Sequence, residues 1–334
     1  MEQEWGFTNI WNESLVDREE RERLPRNHLW AGELGKAPID LYLRLKGVPA
    51  SNPPNDRSKR KFEAGNVWEW IVKLILIRTG ILVAEQKHIK HQYPGLLEVT
   101  GRLDFIAGGV PDYNKAKEEL EKLTLPDVFL RAGRNIIQHL EKHYPAGLDP
   151  KVLEIKSTSS FMFDVYQGKH VASKNHRIQN FHYLKGLDMP RGSVVYVCRD
   201  DCRMVEIPVL NPSKIEDEYK GFIERITYYV NKGEEPPKEQ LIEFDEEAGK
   251  FTKNWKVAYS EYLTMLYGFE NQKAYDDIYS KMASRFNRVV KRIAEGKNMT
   301  KKNEDALNEI KGQGFDPDYC ASKFSLKGES DEEE

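Results

Sequence analysis

GRLDF at residues 101–105 and KVLEIKS at 151–157 are the two stretches that decide the fold of this chain. Both read as strands, short runs of Val, Leu, Ile and Phe whose side chains alternate between two faces. Alternation puts Glu154 and Lys156 on one face and Leu153 and Ile155 on the other, and it sets Asp104 opposite Leu103 and Phe105. If the two strands are neighbours, two carboxylates and an ammonium converge at one edge of a sheet. Acids that close repel each other unless a cation lies between them, and hard oxygen ligands suit Mg2+ or Mn2+. Glu-x-Lys alone means little, since it also occurs at 85–87, 218–220, 295–297 and 309–311. The competing reading is a plain cross-strand ion pair between Asp104 and Lys156 with Glu154 exposed.

Working outward, residues 28–47 read as a helix-rich lead-in followed by a turn-forming linker, VPASNPPNDRS. A helix is expected from 59 to about 78, with Val67, Ile71, Leu74 and Ile75 on its apolar side, Trp68 and Trp70 in the core, and Thr79-Gly80 closing it. Two strand-like runs follow, ILVAEQKHIKHQY (81–93) and LLEVTGRLDFIAG (96–108), then a polar insertion at 110–150 with helical patches. After the strand holding Glu154 come a helix around 171–187 and a strand pair, GSVVYVCRD and CRMVEIPVL. Helix, three strands, helix and two strands make an α/β protein with a mixed central sheet flanked by helices. Beyond Pro212 the pattern turns helical, with a break at Pro236-Pro237. The expected divisions are a lead-in and linker (1–58), a core (59–210), a helical C-terminal extension (211–328) and an acidic tail, ESDEEE (329–334).

The order of polar residues around these strands is more specific than any one of them. Glu69 lies on the helix before the sheet, four residues after Gly65. Gln179 and Tyr183 are four apart on the helix after it, hence on one face. Helix GNVWE, strand GRLD, strand EIK and helix QNFHY, in that order, resemble the PD-(D/E)XK nuclease superfamily, and within it the RecB-type branch that includes CRISPR-associated RecB-like exonucleases and phage relatives. The resemblance spans roughly 28–209 and implies a restriction-endonuclease-like core. It implies that Asp104, Glu154, Lys156, Gln179 and Tyr183 are catalytic. Asp104, Glu154, the Ile155 carbonyl and Glu69 would hold Mg2+ or Mn2+, and Glu69 stands where many relatives have His. The implied activity is hydrolysis of DNA phosphodiester bonds, as an exonuclease of DNA repair, recombination or phage DNA processing. A structure-specific endonuclease, and a non-cleaving protein that binds nucleic acid or recruits partners on the same fold, are the alternatives.

Several relatives carry an iron–sulfur cluster on four cysteines, the first in a Cys-Pro dipeptide of the lead-in. Here that dipeptide is Ala37-Pro38 and only Cys198, Cys202 and Cys320 are present, so the cluster is expected to be absent. A zinc site of three cysteines and a histidine is the minor alternative. His88 and His91 would point to opposite faces of a strand, which argues against a shared metal. His170, His176 and His182 are expected at the solvated surface, with the lining of a nucleic-acid groove as the alternative.

Composition excludes several other classes. With 39% hydrophobic and 31% charged residues in a chain of 334, the protein is expected to fold around a sizeable core. No apolar run reaches the roughly 18 residues that span a bilayer, and the start lacks the order of a secretory signal. Three cysteines imply no disulfide framework. A cytoplasmic protein is expected, in the host cytoplasm if viral. The net charge of −3 hides segregation, because 281–302 carries eight Lys and Arg against one Glu. Arg285, Arg288, Lys291 and Arg292 are therefore candidates for tracking a DNA backbone, and the acidic tail for meeting a replication or recombination protein.

Overall fold

Strands β5 (Phe105–Gly109) and β6 (Leu148–Thr158) are neighbours and antiparallel, with Phe105 opposite Leu153. They lie inside a five-stranded sheet of order β2-β5-β6-β7-β8, formed with β2 (Leu82–Glu85), β7 (Gly192–Cys198) and β8 (Met204–Pro208). Only β6 and β7 run parallel, so the sheet is mixed and the protein is a mixed α/β fold, as expected. The computed structural model describes residues 24–209, 212–246 and 248–328, and the acidic tail lies outside them.

A second sheet, of order β1-β4-β3, is built from β1 (His28–Trp30), β3 (His88–His91) and β4 (Glu98–Arg102). Each strand-like run of the sequence thus divides between two sheets. The first passes from β2 to β3 through Gln86, which takes the left-handed conformation at φ 49°, and the second passes from β4 to β5 at Leu103-Asp104. Gln86 N–H donates to the Asp104 carbonyl at 3.0 Å and Leu103 N–H to the Lys87 carbonyl at 3.1 Å, so the two bends are stitched side by side. Asp104 therefore sits at a corner, where the chain leaves one sheet for the other.

Helix α1 (Pro38–Leu45) precedes α2 (Asp56–Arg78), whose start is capped by the Asn55 side chain accepting from Ser58 N–H. Helix α2 covers one face of the large sheet through Val72 and Leu76, which pack with Phe105, Leu153, Ile155 and Val197. This corrects the expected apolar side: Val67 is 48% exposed, and Trp70, expected in the core, is 60% exposed. The buried stripe also runs past Gly65 and Glu69, a polar face that a hydrophobic count passes over. The insertion is a helical hairpin, α3 (Tyr113–Glu121) and α4 (Asp127–His143), closed by Ala116, Leu120 and Ile137.

Helices α5 (Ser160–Lys169) and α6 (Lys174–Leu187) connect β6 to β7. Helix α6 turns one face into the core, against the expected solvated surface for His182, while His176 is half-buried. His182 is fully buried, with Nε2 3.2 Å from the Ile89 carbonyl and Nδ1 2.9 Å from the Tyr219 hydroxyl, and His176 Nδ1 lies 2.8 Å from the Tyr196 hydroxyl. Tyr219 comes from α7 (Pro212–Lys232), which belongs with this sheet.

The chain forms two compact units. Of the described residues, the first holds those up to 35, 45–47 and 54–234, and the second holds 36–44, 48–53 and those from 235 onward. The division differs from the expected one at both ends. The second unit is also not purely helical: it contains the hairpin β9 (Ile242–Asp245) and β10 (Lys250–Lys253), short helices α8 (Trp255–Ala258) and α9 (Leu263–Tyr267), and α10 (Gln272–Ala294), α11 (Lys301–Gly312) and α12 (Pro317–Gly328). Its core gathers Phe251, Phe286, Val289, Val290, Ile310 and Cys320. Among the described residues no helix is long and apolar enough to cross a membrane.

Candidate active site

The last β5–β6 pairing is Phe105 with Leu153, and beyond it the corner carries β5 away. Ile155 N–H is thereby left without a ladder partner on that side, and the Asp104 carboxylate takes it, Oδ2 accepting at 2.7 Å. A residue's N–H and C=O leave a strand toward the same neighbour, so the Ile155 carbonyl faces the same gap. On the next position Glu154 is 1% exposed, and its Oε1 lies 2.5 Å from Lys156 Nζ. The other oxygen, Oε2, is buried and has no hydrogen-bond partner among the described residues. The competing ion pair with an exposed Glu154 is thus not what forms.

Electrostatics describe a cluster short of positive charge. Burial first, and then the Asp104 carboxylate, push Glu154 up to about 8. Burial, then Asp104, push Glu69 up to about 7, which brings that helix residue electrostatically into the group. Asp104 is also raised by burial, against the opposing pull of Lys156 and the Ile155 N–H. Burial works against the Lys156 charge, but Glu154, Asp104 and Glu69 outweigh it and keep the ammonium protonated. Three acids around one ammonium leave an excess of negative potential in a poorly solvated place.

These residues fit a divalent cation in donor chemistry: hard oxygens, one of them an orphan, and a backbone carbonyl facing the same gap. The side chains are gathered around the Lys156 ammonium. Correspondingly, among the described residues no three His, Cys, Asp or Glu side chains stand together in metal-holding geometry.

Gln179 and Tyr183 act one step away. Gln179 Nε2 donates to the Tyr183 hydroxyl at 3.1 Å, and that hydroxyl donates to the Arg102 carbonyl at 3.1 Å. The Tyr183 ring lies against Gly101, where a Cβ would come within 2.7 Å of Tyr183 Cε1 and 2.8 Å of Ala31 Cβ. The glycine of GRLD is therefore a packing requirement, and Tyr183 pins the end of β4 just before Asp104. Tyr183 spends its only donor on this contact, so it is a positioning residue. Gly65 carries no such requirement, since a Cβ there would sit 3.6 Å from Ser157 Oγ on β6, an ordinary contact.

Sequence reasoning missed a cavity of about 400 Å3 beside this corner, lined by Trp30, Gly32, His88, Gly101, Arg102, Gln179 and Tyr183. No spacing in the sequence signals it: Trp30 and His88 come together only because β1, β4 and β3 pair.

The basic candidates of α10 lie in the second unit and are largely occupied. Arg285 pairs with Glu309, Lys291 lies 3.8 Å from Glu295, and Arg292 donates to the Asn298 carbonyl. Arg288 is exposed and makes no ion pair among the described residues. Cys198 and Cys202 flank the turn after β7, Cys198 buried and Cys202 exposed, whereas Cys320 is buried in the second unit's core.

No protein-family model matches the chain, and no curated protein does. Among solved structures it is similar to one described as "Crystal structure of SSO0001", at 13% identity and a TM-score of 0.43, over 79% of this chain and 98% of that one. A likeness that distant transfers no role.

Proposed function

We propose that this chain is a metal-dependent deoxyribonuclease that hydrolyses DNA phosphodiester bonds, acting as an exonuclease in DNA repair, recombination or phage DNA processing. The observation that carries the reading is the Glu154 carboxylate: fully buried, one oxygen on Lys156, the other unpartnered, one residue from the N–H that Asp104 grips. Burying two such acids in the core of a sheet is costly, and a structural pair would not leave an oxygen orphaned.

Asp104, Glu154 and the Ile155 carbonyl, with Glu69 directly or through water, would hold Mg2+ or Mn2+. When bound, such an ion neutralises charge on the phosphate and acidifies water. The chain's own groups do the rest. Lys156, held cationic by its neighbours, suits the stabilisation of a phosphate oxygen as negative charge builds on it. Asp104 fixes the Ile155 backbone, so the carbonyl beside it keeps one direction. Tyr183 and Gln179 hold the end of β4 and thereby the corner that aims Asp104.

The test incubates purified protein with Mg2+ or Mn2+ and end-labelled linear and circular DNA, single- and double-stranded. Linear DNA should disappear while circles survive, and EDTA should stop the reaction. Asp104→Ala, Glu154→Ala and Lys156→Ala should each lower the rate at least ~100-fold, with circular dichroism unchanged. Wild-type cleavage by Asp104→Ala would refute the assignment, and cleavage of circles would turn it toward an endonuclease.

A further inference from the structure

A sheet with one buried face presents the other to solvent, and strand register says what stands there. In the three-stranded sheet Leu29, Ile89 and Val99 are the buried residues of the inner face. Directly paired residues share a face, and the pairs are His28 with Glu98, Trp30 with Thr100, Thr100 with Lys90, and Arg102 with His88. The outer face therefore carries three rings, the half-buried His28 and Trp30 and the exposed His88, two exposed cations, Lys90 and Arg102, one carboxylate, Glu98, and the buried Thr100. The rings adjoin one another: His28 and Trp30 have centroids 5.7 Å apart, Trp30 and His88 6.4 Å. Lys90 is paired with Glu98 at 3.2 Å, but Arg102 makes no ion pair among the described residues. The 400 Å3 cavity opens at this end of the sheet, between Trp30, His88, Arg102 and the Gln179 amide. From Arg102 the chain reaches Asp104 in two residues.

Rings interleaved with cations on an open surface suit a strand whose bases are free to stack, and they do not suit a duplex, whose bases are already stacked on each other. We propose that this face binds single-stranded DNA, with bases on His28, Trp30 and His88, a backbone phosphate on Arg102 over the cavity, and the strand running along β4 toward Asp104. Its direction toward Asp104 rests on reading the acidic cluster as the site of hydrolysis, whereas the binding itself does not.

The test uses the full chain in EDTA and follows fluorescence anisotropy of a labelled thymidine oligomer of about 20 nucleotides, and of a duplex of equal length. The single strand should bind at least about ten-fold more tightly than the duplex, and Trp30→Ala should weaken it about ten-fold while Trp30→Phe keeps it. Arg102→Gln should weaken it and flatten its salt dependence. Should Trp30→Ala fail to fold, His88→Ala and Arg102→Gln, both at exposed positions, decide the matter. Equal or tighter binding of the duplex, or affinities of the folded variants within about two-fold of wild type, would overturn the proposal. The two readings fail separately. Metal-dependent cleavage that needs Asp104, with no change of affinity in the ring variants, keeps hydrolysis and removes the platform. Single-strand binding lost in those variants, in a protein that cleaves nothing, keeps the platform and removes hydrolysis.

Discussion

At Glu154 one oxygen rests on an ammonium and the other on nothing, inside a sheet that excludes water. The folded protein prefers this carboxyl protonated: its value rises from the ordinary 4.5 to about 8, by burial and then by Asp104. A carboxyl raised on folding contributes stability that is complete below its unfolded value and is lost as pH climbs through the folded one. The metal-free protein should therefore lose stability between about pH 4.5 and 8 through this residue. Glu154→Gln removes the titration, so the difference in unfolding free energy between variant and wild type, read by chemical denaturation, should grow in the variant's favour from about pH 5 to pH 8, by on the order of 2–4 kcal/mol. Mn2+ added at about pH 8 should raise the wild-type melting temperature, because an ion replaces the missing positive charge, and should do little for the variant. A difference that stays flat with pH would mean that Glu154 is satisfied by Lys156 alone.

The two bent strand pairs show what the sequence made legible among the elements and what it did not. GRLD and VLEIKS were readable because alternation holds inside each strand, and β5 and β6 do pair. The corner between β4 and β5 was not readable, since Arg102-Leu103-Asp104 keeps the same apolar-polar rhythm on both sides of the bend, and only the partner strands reveal that the sheet has changed. The outward Trp70 and the buried His182 escaped for a related reason: one ring and one imidazole carry no sign of which side of a helix meets the core. His182 can now be assigned a proton. The Ile89 carbonyl only accepts, so Nε2 carries the hydrogen and Nδ1 accepts from the Tyr219 hydroxyl. Burial lowers this histidine from 6.5 to about 4. A base whose folded value is depressed contributes stability that is present above its unfolded value and is lost as pH falls toward the folded one. Chemical denaturation should show the protein weakening from about pH 6.5 to pH 4, by on the order of 3 kcal/mol from His182. His182→Gln should make that slope shallower, and an unchanged slope would place the acid sensitivity elsewhere.

The two units of the whole molecule are threaded discontinuously. The break at Pro236-Pro237 marks the start of the long part of the second unit, and the expected boundary near 211 fails because Ile215, Tyr219, Ile223 and Ile226 of α7 are buried in the first. Nothing in the lead-in's own pattern could show that residues 36–44 and 48–53 complete a core more than two hundred residues away in sequence. Ala37, Ile39 and Leu43 pack with Tyr262 and Leu266, the Tyr262 hydroxyl donates to the Val48 carbonyl at 2.9 Å, and Ser260 donates to the buried Asp40 at 2.9 Å. The consequence is testable without dividing the chain. Leu43→Ala opens a cavity in this cluster and should cost about 2–5 kcal/mol. Hydrogen exchange reports local opening by cooperative unit, so the loss should appear as faster exchange in α8 and α9, with β5, β6 and β7 unchanged. Equal acceleration in the central sheet would mean that the molecule opens as one unit, and that the lead-in helix supports the first core as much as the second.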